Sequence, residues 1–266
     1  MSGFRYSGTE STRITRELIS QIAQLLDGAR IPYVLWGESM MRALGTPAMP
    51  FSIDFVIGDG WHEKAHKVLR TAGFSHCAHG PSCVLKRPSE RKPYPAAHLH
   101  LDAHRPLRLY AQTELLWEFP NLPLKRPAAD DQYFMVTTDL RLPEQKEGCP
   151  PEYGRYDTSL YPVKVPHPTK LVEALILLIC RDQHPSPHVL GFDRLWFLWF
   201  MHLLMYVGET GLLQPEKLEP HFMPVWEEAC SDSFIEEPRL RAIKHLQATL
   251  WQQKALPPHR PNAPDS

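Results

Sequence analysis

The sequence predicts an α/β protein: a mixed β-sheet core with flanking helices, followed by a helical C-terminal region. Three observations carry that prediction. In the first 116 residues, short β-prone apolar runs alternate with stripes at helical spacing. The stretch from Ile31 to Ala72 strings together strand, glycine turn, short helix, second strand and amphipathic helix. From residue 167 to 254 the apolar spacing is helical.

The elements follow in order. Ile14, Leu18, Ile22, Leu25 and Leu26 recur on one helical face, and Gly28 supplies a stop. Pro32 to Trp36 is apolar and β-prone. Glu38 to Leu44 is a short helix ended by Gly45. Phe51 to Ile57 is a buried strand, apolar on both faces except for Asp54. Trp61 to Ala72 is a helix with Ala65, Val68 and Leu69 inward. Gly73 and Phe74 then turn the chain toward a strand around Cys83 to Leu85. Ala97 to Ala103 and Leu107 to Tyr110 complete the strand set. Helices are expected over Pro168 to Asp182, Gly191 to Val207, Pro215 to Cys230 and Pro238 to Lys254. The aromatic run from Leu195 to Val207 reads as core. The expected organisation is a disordered N-terminus (1–12), an α/β core (13–116), a proline-rich irregular connection (117–166), a helical region (167–254) and a disordered tail (255–266).

Composition narrows the function classes. With 29 Lys and Arg against 30 Asp and Glu, the net charge is −1, so no global field draws the chain to DNA or to an anionic membrane. Local basic groups are Lys86, Arg87, Arg91 and Lys92, and the pair Arg105 and Arg108. The longest apolar run, Leu195 to Val207, contains His202 and falls short of the ~20 residues that a membrane span needs. The first residues, MSGFRYSGTESTR, lack the apolar core of a secretory signal. The five cysteines are widely spaced with no CxxC pair, so a structural zinc site is not expected. Reduced thiols and a cytoplasmic location follow as expectations.

The candidate chemistry centres on Gly37, Glu38, Ser39 and Asp54. A glycine turn at a helix start offers backbone amides to phosphate. A strand carboxylate beside it can hold a divalent metal. Two carboxylates at i and i+2 would share one strand face, but the position two before Asp54 is Ser52. The plain alternative for Asp54 is a buried acid that caps a helix or pairs with an arginine. A second motif is HLHLDAH. On a continuous strand His98, His100, Asp102 and His104 face one way, and such a row could take a metal or simply face solvent. Asp59 with Glu63, Asp130 with Asp131, and Arg181 with Asp182 each have an ordinary reading as turn or helix-end charges.

The SIDF segment after WGES resembles the nucleotidyltransferase superfamily, whose pattern is an apolar strand, Gly-Gly or Gly-Ser, a short helix, then Asp-apolar-Asp-apolar. Here the glycine pair reads Gly37-Glu38, Ser52 stands at the first acid and Asp54 at the second. The resemblance implies Asp102 as the third acid. On it, Asp54, Asp102 and Glu38 are the expected catalytic residues, Gly37, Ser39, Ser52 and His100 the substrate-binding ones. Asp54 and Asp102 would be metal ligands if Mg2+ serves nucleotidyl transfer; no cofactor is otherwise implied.

Later landmarks extend the likeness: LYAQTELLWEFP, DDQYFMVTTDLRLP, YGRY and PVKVPHPTKLVEALILLICRD. Together they are similar to a large group of fungal nucleotidyltransferase-like proteins, near the arginine-containing cyclodipeptide synthases. That resemblance implies a transferase of specialised metabolism that joins two aminoacyl-tRNAs, one carrying arginine, into a diketopiperazine. The acidic DDxxE motif of those enzymes is incomplete in both Asp59-Gly60-x-x-Glu63 and Asp130-Asp131-x-x-Phe134. Two other readings stand beside it: a metal-dependent nucleotidyltransferase acting on a small molecule, RNA or a protein hydroxyl, and a non-catalytic relative that binds a nucleotide or a partner. The expected partners are aminoacyl-tRNA and a small-molecule substrate, with no membrane and no DNA.

Overall fold

A computed structural model describes residues 4–8, 13–79, 83, 85, 93–145, 148, 152–183, 192–231 and 239–258. The chain divides into two compact units: one of Met1–Arg87 and Tyr94–His167, the other of Pro88–Pro93 and Pro168–Ser266. The first is α/β and the second helical, as expected. The boundary at Pro168 coincides with the start of the first long C-terminal helix.

The first unit opens with α1 (Arg16–Gly28), where Thr15 accepts a hydrogen bond from the Leu18 amide and so satisfies one orphan donor of the first turn. Next come β1 (Tyr33–Trp36), α2 (Gly37–Ala43), β2 (Ile53–Ile57) and α3 (His62–Thr71). A short β3 (Ser75–His76) precedes β4 (Ala97–His100), β5 (Pro106–Ala111) and a single helical turn, α4 (Gln112–Leu115). The five strands form a mixed sheet in the order β1-β2-β5-β4-β3. Only β2 and β5 run parallel; the other neighbours are antiparallel.

Register decides which side chains meet. Trp36 pairs with Asp54, Asp54 with Arg108, and Arg108 with His98. These four therefore form a row across one face of four strands. The next row, on the opposite face, is Leu35, Phe55, Leu109 and Ala97. β2 is buried at all five positions, which explains its near-continuous apolar sequence. The one acid within it lies in a row that also carries an arginine and a histidine.

Several expectations need correction. Of the strand expected around Cys83 to Leu85, Val84 lies outside the described residues and Cys83 and Leu85 carry no ladder pairing; β3 lies earlier, just after the Gly73 turn. β4 ends at His100 instead of continuing to Ala103, because Asp102 turns the chain. Its Oδ1 accepts from the amides of His104 (2.7 Å) and Arg105 (2.8 Å), and its Oδ2 from Arg105 Nη1 (2.9 Å). His104 and Asp102 thus leave the face that His98 and His100 share. β4 is also not a solvated edge, since β3 pairs outside it and His98 is buried.

The N-terminal stretch is partly ordered: Tyr6 stacks on Phe74 with ring centroids 4.3 Å apart and donates its hydroxyl to the Leu101 carbonyl. The proline-rich connection belongs to the first unit and contains a two-stranded sheet of β6 (Phe134–Val136) and β7 (Lys164–Pro166). In it Lys164 is buried, bonded to Asp27 at 2.7 Å and set over the Tyr33 ring at 4.0 Å.

The second unit contains α5 (Pro168–Asp182), α6 (Phe192–Val207), α7 (Met223–Cys230) and α8 (Arg239–Gln252). The helix expected from Pro215 starts only at Met223, because Pro215 and Pro220 each open a separate 3-10 turn. The α6 aromatic run is core along Leu195, Trp196, Trp199, Phe200 and Leu203, while Leu198 and Met205 face outward. At the end of α5, Arg181 pairs with Asp182, which also accepts from the Trp196 indole at 2.8 Å. No helix among the described residues is long and apolar enough to cross a membrane.

Candidate functional site

The predicted residues at the WGES turn come together. Gly37 takes φ +75°, and a Cβ built on it would lie 2.7 Å from Asp54 Oδ2. Only glycine lets the start of α2 approach that carboxylate so closely. Asp54 Oδ2 accepts the Ser52 hydroxyl at 2.9 Å, and Ser39 Oγ reaches the Ser52 carbonyl at 3.5 Å. Glu38 is half-buried at the start of α2. Asp54, which is 2 % exposed, packs directly against Gly37 at the start of α2.

Arg108 completes this group. Its guanidinium donates to the Leu85 carbonyl from Nη2 (3.1 Å) and Nε (3.4 Å), and Nη1 lies 3.4 Å from Ser52 Oγ. Burial alone would lower its pKa, but the charges of Asp54, Tyr110 and Glu38 overcome that and hold it raised. Burial first, and then the Asp54 charge, pushes the Tyr110 hydroxyl well above its ordinary range, with Arg108 opposing. Asp54 is therefore a buried acid beside an arginine, the plain alternative considered for it. The strand position next to Asp54 on β5 holds a cation.

Asp102 is not brought to this group but is engaged in the hairpin turn with Arg105. A Mg2+ clamp needs converging carboxylates. Around Asp54 stand a serine, an arginine and a tyrosine, and the second expected ligand is tied up elsewhere. The donor set does not fit a divalent pair. Arg105 and Arg108 are also no open basic face, since each is engaged by an acid or a carbonyl. Lys86, Arg87, Arg91 and Lys92 lie outside the described residues, as does most of 1–12 and all of 259–266. Asp59 accepts from Thr113, and Asp131 from the amides of Tyr133 and Phe134, so both are turn acids. His100 stands apart from the WGES turn, 3.5 Å from Cys83 Sγ.

A neighbouring opening was not foreseen from the sequence. A narrow cleft of about 10 Å³ lies beside α2, lined by Thr15, Arg16, Ser39, Arg42, Glu152 and Tyr156, among others. That is room for about one water-sized group, far below the ~300 Å³ or more that a whole substrate usually occupies. Arg42 is 8 % exposed, and its Nε is buried without a hydrogen-bond partner among the described residues. Burial lowers its pKa, Glu152 offsets part of that, and Arg16 and Arg13 add to the lowering. Glu152 accepts instead from the Arg16 amide (3.0 Å) and approaches Arg16 Nε at 3.5 Å. The cleft thus gathers more positive charge than it neutralises. An anion entering it would relieve that deficit.

The YGRY segment forms one wall. The Gly154 amide bonds to the Arg42 carbonyl (2.8 Å), and Arg16 lies over the Tyr156 ring at 5.5 Å. Gly154 takes φ +77°, and a Cβ there would strike the Pro143 carbonyl, so the position requires glycine. The sequence offered YGRY as a landmark, but not the arginine against which it folds. Neither a protein-family model nor a curated protein matches the chain. The fold and this geometry define a mixed-sheet α/β protein with a helical C-terminal unit.

Proposed function

We propose that the protein is a group transferase whose substrate places an anionic group in the α2 cleft, and that it works without a divalent metal pair. The reaction suggested by the sequence resemblance is condensation of two aminoacyl-tRNAs, one charged with arginine, into a diketopiperazine. The observation that carries the reading is Arg42: a buried guanidinium with an unanswered Nε, beside a narrow cleft whose surplus of positive charge would draw a phosphate. A tRNA end supplies such a phosphate beside the reactive ester.

The chemistry asks little beyond position. The amine of one aminoacyl group attacks the ester carbonyl of the other, and the ribose hydroxyl leaves with a proton. The new dipeptide's amine then repeats the attack on the remaining ester and closes the ring. Two esters are consumed, two amides form, and no metal or nucleoside triphosphate enters the balance. Arg42 and Arg16 would hold the phosphate. Glu38 would meet the incoming amine or guanidinium, being more accessible than Asp54. Asp54 and Arg108 act as positioning residues that fix the Gly37 turn and Ser52.

Nucleotidyl transfer through Asp54 and Asp102 is the less supported reading, because Arg108 occupies the neighbouring position that such chemistry would give to an acid. Expression in a host that lacks such chemistry, followed by mass spectrometry of the extract, separates the readings. A new arginine-containing diketopiperazine, absent from the Arg42→Met variant, supports the proposal. An unchanged extract contradicts it. Incorporation of label from ATP, dependent on Mg2+ and lost in Asp54→Asn, would return the metal-dependent reading.

A further inference from the structure

We infer that Cys77, Cys83, His98 and His100 form a structural zinc site. The argument stands apart from the proposed reaction. The four ligand atoms lie within 4.8 Å of one another, and three of the four residues are buried. Two come from one strand: His98 and His100 at i and i+2 of β4 share a face, with ring centroids 5.4 Å apart. β3 pairs Ser75 with His100 and His76 with Leu99, so one residue further on Cys77 arrives level with His98. Cys83 supplies the fourth corner.

The distances suit zinc. Tetrahedral bonds of about 2.3 Å to sulfur and about 2.1 Å to nitrogen set a sulfur–nitrogen edge of about 3.6 Å. Cys83 Sγ and His100 Nε2 are 3.5 Å apart. The widest edge needs to close by about 1 Å to reach the same tetrahedron. Two thiolates with two imidazoles select zinc over magnesium or calcium, which prefer oxygen. Four protein ligands leave no open position, so the role is structural rather than catalytic. Both cysteines are free thiols in the structure.

In the sequence the lack of a CxxC pair argues against structural zinc, while the HLHLDAH row by itself allows a metal. The spacing is instead C-x5-C followed by H-x-H, a pair of loose chelates that only the β3–β4 register unites. The site would pin residues 77 and 83 to the sheet. Two residues beyond Cys83, the Leu85 carbonyl holds the Arg108 guanidinium. Zinc at Cys83 would therefore help to hold the Leu85 carbonyl against Arg108, in the polar row that contains Asp54.

The test is metal content of the full chain purified without chelator, read by mass spectrometry, with cobalt exchange as the second measurement. The expected result is roughly one zinc per chain, falling at least about tenfold in Cys83→Ser and His100→Gln. Cobalt should give the intense visible bands of a tetrahedral ion and a near-ultraviolet thiolate charge-transfer band. If the variants do not fold, the cobalt spectrum of the unaltered chain decides. The inference is overturned by a chain that takes up neither metal, by an octahedral cobalt spectrum, or by metal content unchanged in both variants. A Cys77–Cys83 disulfide in anaerobically purified protein would overturn it as well.

Discussion

At the scale of single residues, the account rests on close approaches that tolerate little change. Gly37→Ala demands a left-handed backbone of an L-residue and sets a methyl 2.7 Å from Asp54 Oδ2. Backbone strain alone costs about 1–3 kcal/mol, and the overlap adds to it. Urea unfolding should show a loss at the top of that range or beyond. Asp54→Asn leaves Arg108 buried without its counter-charge, which costs about 3 kcal/mol where a buried pair is broken on one side. The double change with Arg108→Met should be milder than the sum of the singles, with a coupling of roughly 1–3 kcal/mol in a double-mutant cycle. Strict additivity would mean that the two groups do not sense one another. By contrast, Arg42→Met removes a buried cation that Glu152 compensates only in part. It should leave stability unchanged or slightly raised while abolishing anion binding, a pattern that thermal shift with inorganic phosphate can read.

At the scale of elements, burial sets the acid response. His202 in α6 and His66 in α3 both have pKa values below the ordinary histidine value, first because of burial and, for His66, also because of the His76 and Arg70 charges. The unfolded chain therefore binds protons at a pH where these folded groups stay neutral. Stability should fall as pH is lowered through the ordinary histidine value of about 6.5, and the loss should level off below the folded pKa values. Replacing His202 by Gln should flatten that slope in denaturant midpoints taken between about pH 7 and pH 5. An unchanged slope would exclude His202 as the source.

The elements also show what was legible in the sequence. α1, β1, α2, β2, α3 and α5 could be read because each carries its own period and its own stop, as with Gly28 after the Leu26 stripe. The Gly37–Asp54 contact was legible as well, since the strand–turn–helix–strand order forces it. The hairpin acid was misplaced because Asp102 looks like a strand residue until its turn bonds to His104 and Arg105 are seen. Arg108, Arg42 and the Cys/His group were missed for a shared reason. Each gains its meaning from a partner many residues away in the sequence, which only the β2–β5 and β3–β4 registers and the fold of YGRY reveal.

For the whole molecule, the central claim is that substrate binding and turnover depend on a positively charged cleft beside α2 and not on a metal pair at Asp54. A helical unit follows the sheet unit at Pro168, and the proposal assigns the chemistry to the sheet unit alone. The most direct measurement incubates the purified full chain with charged tRNAs, including arginyl-tRNA, and no nucleoside triphosphate, and follows diketopiperazine by mass spectrometry. The account predicts an arginine-containing product that vanishes when the tRNA is digested with RNase beforehand, and that drops at least about tenfold in Arg42→Met, the loss expected when a charge-assisted contact of ~1.4 kcal/mol or more is removed. Full activity of Arg42→Met, or no product from the unaltered chain, would contradict it.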